Sequence, residues 1–299
     1  MRNLLLGTTT FSILAGLLVS CGGDKDAIVV VSRMNNSGTY VYFQEAVLGK
    51  TTNFRATTLN QSGSKDVAAL VGKTPSAIGY SGMGYATDAI KLLAVSEKKG
   101  GPAVAPTPAN TRDGSYPIAR PLFIYTAGQP EGPVKEFLEW TMSAEGQAFV
   151  ESEGYVSVSA AGQHTGPGTT EPYTIQVNGS DTMVNLAGVW AEAYSKKYPH
   201  VKVEIAGGGS GVGISALIDG KISIANASRQ MTPKEIALAT EKTGKTPVEF
   251  VVGKDGLGVY VHKDNPIDSI SIEELKEIFG EGGSITKWSQ LSASAVASK

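Results

Sequence analysis

Short apolar runs alternate with amphipathic stretches along most of this chain, a pattern that predicts alternating strands and helices and an α/β fold. Ala27 to Val31 reads as a buried strand running into Arg33, followed by a helix from Thr39 with Tyr40, Phe43 and Val47 on one face. A helix over Lys65 to Val71 and a strand over Ala77 to Tyr80 come next. Pro102 to Pro108 reads as a connector, Pro117 to Thr126 as a strand, and Gly132 to Glu153 as one helical repeat. Ser157 to Glu171, poor in apolar residues, reads as a linker.

Tyr173 to Val177 then predicts a strand, Asp181 to Tyr198 a helix with Met183, Leu186, Trp190 and Tyr194 inward, and Val201 to Ile205 a strand. Ser210 opens a helix reaching Ile218, and Ile222 to Ala225 is a short strand ending at Ser228-Arg229. Thr232-Pro233-Lys234-Glu235 has the N-cap, early proline and third-position glutamate of a helix start. Val248 to Val252 and Leu257 to Val261 read as two strands, Ser271 to Phe279 as a helix, and Ser292 to Lys299 as a frayed end.

The first stretch has a different character. Arg2 precedes an apolar run from Leu4 to Val19 that ends in Ser20-Cys21-Gly22, the pattern of a cleaved signal with a bacterial lipobox. Residues 1–20 are thus expected to be a lipoprotein signal peptide, Cys21 the lipidated residue, and 21–26 a tether. This implies an extracytoplasmic, lipid-anchored protein. Cys21 is the only cysteine, which excludes an intrachain disulfide and a cysteine metal cluster. The rest of the 299 residues suits two domains, and 41% apolar content supplies real cores. A net charge of −2 makes no case for nucleic acid, and no cofactor is implied.

The candidate chemistry lies in three Ser/Thr/Gly clusters, each opening a helical pattern. They are Gly179-Ser180-Asp181-Thr182-Met183, Gly207 to Gly213 around Ser210, and Arg33 to Thr39 with Ser37 and Gly38. A helix start offers unpaired N–H groups and partial positive charge, so it seats anions. Arg33 adds a guanidinium fork matched to a tetrahedral oxyanion, and Ser228-Arg229 at another strand end offers a second. An ordinary N-cap is the competing account of Ser180 and Asp181. Three glycines in a row before Ser210 cost backbone entropy that close approach to a ligand would justify. The P-loop spacing is missing before Gly72-Lys73-Thr74 and Gly244-Lys245-Thr246. His164, His200 and His262 are too scattered for a metal triad, and Asp181, Asp255 and Glu235 form no acid–base pair.

Taken together, these segments resemble the phosphate-binding proteins of phosphate ABC transporters. Also matching are Ala77 to Tyr80, Tyr116-Pro117-Ile118-Ala119-Arg120-Pro121, Phe137 to Trp140 with Gly154-Tyr155, and Ile278-Phe279-Gly280 to Trp288. The resemblance implies a two-lobed periplasmic-binding-protein fold of type II with the anion in the interlobe cleft. The order differs from the family's: the Gly179 segment usually comes first, so the chain resembles a circular permutation cut before Ile28. Lobe B would comprise 27–112 and 248–299, and lobe A 113–247 with the linker at 157–172. The family's ligands fall on Thr182, the Met183 N–H, Ser210, Arg33, Ser37, the Gly38 N–H and Thr39, beside the candidates Ser180, Ser228 and Arg229. Some members carry Asp where Arg229 stands, a carboxylate that accepts the proton of hydrogen phosphate; Asp181 or a serine lone pair is the stand-in here. The implied partners are inorganic phosphate and the transporter's permease and ATPase, with a monomer expected. A transporter-free sensor or scavenger and a phosphoester hydrolase are the alternatives.

Overall fold

The computed structural model describes residues 24–159, 164, 166, 168 and 170–292, so Cys21, the signal segment and 293–299 lie outside the described residues. The chain runs β1 (Val29–Arg33), α1 (Gly38–Phe43), a π-type turn (Gln44–Leu48), β2 (Leu59–Gln61), α2 (Ser64–Lys73), β3 (Ala77–Gly82) and β4 (Ile90–Ser96). Next come α3 (Pro108–Asp113), β5 (Ala119–Thr126), α4 (Gly132–Thr141), α5 (Ala144–Ser152), β6 (Tyr173–Gly179), α6 (Val184–Lys197), β7 (Val201–Ala206) and α7 (Ser210–Ile218). The last elements are β8 (Ile224–Ala227), α8 (Pro233–Thr243), β9 (Val248–His262), β10 (Ser269–Ser271), α9 (Ile272–Phe279) and α10 (Ser289–Ser292).

The strands join in the order β2-β1-β3-β9-β5-β8-β6-β7, with β4 on β9 and β10 on β4. Strand β9 makes this possible. Its first part, Val248 to Gly256, pairs antiparallel with β5, and its last part, Leu257 to His262, pairs with β3 and β4. The two strands expected over 248–252 and 257–261 are therefore one. Hydrogen bonding on both sides carries the strand through the residues between them, with a register shift opposite Leu122/Phe123.

Two principal cores flank this crossing. The first gathers Val30, Phe43, Tyr80, Leu257, Val259 and Phe279, with the Phe43 ring stacked on Tyr80 at 3.8 Å. The second gathers Leu122, Trp140, Leu186, Trp190, Tyr194 and Val252. Burying side chains of this size stabilises the fold by about 1.5–3 kcal/mol each. Tyr116 and Ile118 belong to the first core, whereas Phe250 and Val252 pack into the second.

Local signals account for most helix ends. Thr232 and Glu235 form a capping box on α8 with Pro233 in its first turn, and Gly244 closes it at φ 68°. Ser271 and Glu274 do the same for α9. The single helix expected over 132–153 divides because Ser143 caps a new one, accepting from the Gly146 N–H. The helix expected from Asp181 begins only at Val184, which leaves Ser180 to Thr182 in a turn. The first and last described segments lie side by side: the Trp288 N–H donates to Asp26 O, and Asp26 accepts from the Ser289 N–H and hydroxyl.

Candidate functional site

The three hydroxyl clusters converge where the ends of β1, β6 and β8 face the starts of α1 and α7 and the turn before α6. Thr39 and Thr182, 143 positions apart, bring their hydroxyls to 2.8 Å, and both side chains are fully buried. Ser37 caps α1 by accepting from the Thr39 N–H. Across from it, Ser210 Oγ accepts from the Ser228 N–H at 3.1 Å and lies 3.4 Å from Ser228 Oγ. A Cβ on Gly38 would stand 2.4 Å from Ser210 Oγ and 2.7 Å from Ser228 Oγ, so nothing larger than glycine fits between these faces. Ser180 Oγ is buried in this region with no hydrogen-bond partner among the described residues.

The glycine run is explained by backbone contact rather than by a ligand alone. Gly209, at φ 99°, would place a Cβ 2.8 Å from Asn36 O, and the Gly211 N–H donates to that carbonyl at 3.0 Å. Asn36 in turn donates to Gly208 O at 2.9 Å. The loop before α7 and the loop before α1 thus close against each other as bare backbone.

Two arginine–aspartate pairs frame the hydroxyls. Arg33, fully buried, donates to Asp181 Oδ2 at 2.6 Å, to Ser62 O and to Ser64 Oγ, while its Nε has no partner among the described residues. Burial pulls its pKa down and Asp181 raises it again, and a guanidinium stays charged throughout. Asp181 Oδ1 accepts from the Gly208 N–H at 2.8 Å, so both its oxygens are engaged and it does not stand free as a proton acceptor. The Tyr85 hydroxyl, pushed up to about 12 by burial, remains a donor and holds the Asp181 carbonyl at 2.6 Å. Tyr155 holds the Thr182 carbonyl in the same way.

The second pair was missed in the sequence. Arg120 on β5 and Asp255 on β9 are cross-strand partners, and both are buried. Arg120 Nε and Nη2 donate to Asp255 Oδ2 at 3.0 and 2.8 Å, and Nη1 donates to Ser228 O. Nη2 also reaches Thr39 Oγ1 at 3.1 Å and Thr182 Oγ1 at 3.3 Å. Asp255 Oδ1 is taken by the Met83 N–H. With the guanidinium donating to both threonine oxygens and one threonine hydroxyl donating to the other, one hydroxyl proton is left to point elsewhere, which suits binding of an anion. The only sequence signal for Arg120 was its place in the Tyr116 to Pro121 segment.

Two expected ligands lie otherwise. The Arg229 guanidinium turns to Glu235, pairing bidentately at 2.8 and 2.7 Å, because neighbouring residues at a strand end point to opposite faces and Ser228 takes the inner one. The Met183 N–H donates to Ser180 O at 3.0 Å, completing the turn that precedes α6.

With this geometry in place, known proteins supply the context. A model of the PBP superfamily domain matches residues 13–145 and 159–299. The chain is 32% identical over 292 residues to the phosphate-binding protein PstS 2 of Streptococcus agalactiae serotype V, covering 93% of this chain and 94% of that protein. This chain belongs to the PstS family. PstS 2 of Streptococcus pneumoniae serotype 4 is 29% identical, over 92% of this chain and 94% of its own length. A crystal structure of a phosphate-binding protein of a phosphate ABC transporter from Streptococcus pneumoniae TIGR4 superposes with a TM-score of 0.66 and 28% identity. It covers 88% of this chain and 99% of that one. The PstS fold thus carries the buried cluster at the crossing between its two cores.

Proposed function

We propose that this protein captures inorganic phosphate between its two lobes outside the cytoplasm and hands it to the permease of an ABC transporter. The observation that carries this reading is the meeting of Thr39 and Thr182 over Arg120, hydroxyls from remote stretches held by one buried guanidinium. Ser37, Thr39, the Gly38 N–H and Arg33 would approach the anion from one lobe, and Ser180, Thr182, Ser210 and Ser228 from the other. Arg33 Nε and Ser180 Oγ, both buried and unpartnered among the described residues, supply donors for it. Closure about β5 and β9 assembles the site, and phosphate selects the closed state.

Both nearby carboxylates are engaged by arginines, so the proton of hydrogen phosphate is accepted by a serine or threonine lone pair. Hydroxyls reject sulfate less severely than a fixed carboxylate does. The same locked carboxylates leave no free general base beside the hydroxyls among the described residues, which favours binding over hydrolysis. Lipid anchoring at Cys21, a monomeric state and a permuted chain order belong to this reading. A permuted order would require the first and last segments to meet, and Asp26 accepts from the Ser289 hydroxyl and N–H.

Calorimetry of the protein with phosphate, arsenate, sulfate and molybdate tests the reading. Phosphate is expected to bind at micromolar concentration or below, with sulfate competing at millimolar concentration. No heat with phosphate refutes it.

A further inference from the structure

Away from the anion site, helix α4 presents Glu136 and Glu139 one turn apart, on neighbouring positions of a single helix face. His164, from the segment between the two halves of the sequence, folds back onto that face. Its Nδ1 lies 4.0 Å from Glu136 Oε2, too far for a hydrogen bond, and its side chain is only 3% exposed. The ring is fixed by the aromatic faces of α6 and the residue after it, with Tyr194 at 6.2 Å and Tyr198 edge-on at 5.9 Å. Both ring nitrogens are buried, and neither has a hydrogen-bond partner among the described residues.

An imidazole in this state is costly to bury unless something accepts its lone pair. Protonation is an inferior solution, because desolvation holds the ring below its ordinary pKa despite the nearby glutamates. A neutral ring keeps the lone pair that a metal requires. One ligand atom from each of Glu136, Glu139 and His164 can be chosen so that all three lie within 4.8 Å of one another.

We propose that Glu136, Glu139 and His164 form a binding site for one divalent transition-metal ion of the zinc type. One imidazole nitrogen with two carboxylate oxygens is a donor set that Zn²⁺ accepts, with water completing four-coordination. Ligand bonds of about 2.0–2.2 Å require the donors to draw together by about 1 Å, within reach of glutamate side chains with free torsions. Glu136 is four-fifths buried, and Glu139 is half-exposed with a long contact of 3.5 Å to Lys135, so among the described residues neither is committed to a strong partner. Lys197, the other cation facing this region, is held by Glu145 at 2.5 Å. A bound ion would tie the segment carrying His164 to α4, stapling the join between the two halves of the sequence to the second core.

The test is zinc binding to the tag-free, chelator-treated protein, followed by calorimetry and by metal content after gel filtration. One equivalent per chain is expected, accompanied by a rise in melting temperature. H164A should lower the affinity by at least about tenfold, and E136Q and E139Q should also weaken it, while H200A leaves it unchanged. Phosphate binding should be retained in H164A, which separates this site from the anion cluster. Absence of stoichiometric binding, or binding that survives H164A undiminished, overturns the proposal.

Discussion

Arg33–Asp181 and Arg120–Asp255 are both short arginine–aspartate contacts, yet they sit in different mechanical settings. The first spans the cleft, joining the end of β1 to the turn before α6, and Asp181 keeps a little solvent exposure. The second spans two neighbouring strands that pass between the cores, and both side chains are sealed from water. Opening the cleft would break the first pair and carry the second along. A contact that must be remade at every closure contributes to ligand-dependent closure, whereas one that never breaks contributes to the platform.

The sharpest way to break that contrast is Asp255→Ala. It strands a buried guanidinium and is expected to cost about 3–5 kcal/mol in urea unfolding. The double replacement Arg120→Met with Asp255→Leu should recover most of that stability but not phosphate binding, because the donor to Thr39 and Thr182 is gone. Arg33→Ala should destabilise the protein less than Asp255→Ala, because Asp181 keeps some access to water, and weaken phosphate binding by about 2–5 kcal/mol by calorimetry. If Arg33→Ala destabilised the protein more than it weakened binding, the two pairs would not differ in kind.

Gly38→Ala probes the closed interface itself. The added methyl would overlap Ser210 and Ser228, so affinity should fall by about 1–3 kcal/mol while the thermal midpoint of the unliganded protein moves little. The smallest effect concerns a third arginine–carboxylate pair outside the site. Burial pushes the Glu235 carboxyl up, but Arg229 and Thr232 outweigh it and leave the pKa below the ordinary glutamate value. Its stabilising contribution is thus present above the unfolded pKa and fades as pH falls through the depressed folded value. Arg229→Ala should flatten that acid limb by less than about 1 kcal/mol, since solvent screens the pair, without changing phosphate affinity.

The contrast also shows why the buried hydroxyl cluster was partly legible in the sequence. Ser180, Thr182, Ser210, Ser37 and Thr39 announce themselves because helix starts and tight turns are written in a few consecutive residues. Arg229 misled for the complementary reason. It adjoins Ser228 in sequence, but side chains alternate along extended backbone, and Glu235, the third residue of α8, pairs with it. Asp181, Asp255 and Glu235 showed no partner along the chain, yet each meets an arginine once the chain is folded. The run of glycines before Ser210 pointed to close approach, and the approaching group proved to include the Asn36 backbone.

By itself, the order of residues determined the alternation of strands and helices, most capping positions and the hydroxyl-rich turns, since all depend on interactions within a few positions. Tertiary structure alone decided that β9 is one strand serving both halves, and that Arg120 lies under the hydroxyls. It also decided that His164 meets Glu136 and Glu139. Each depends on register and packing between segments remote in sequence, where no local preference says which partner a side chain will face.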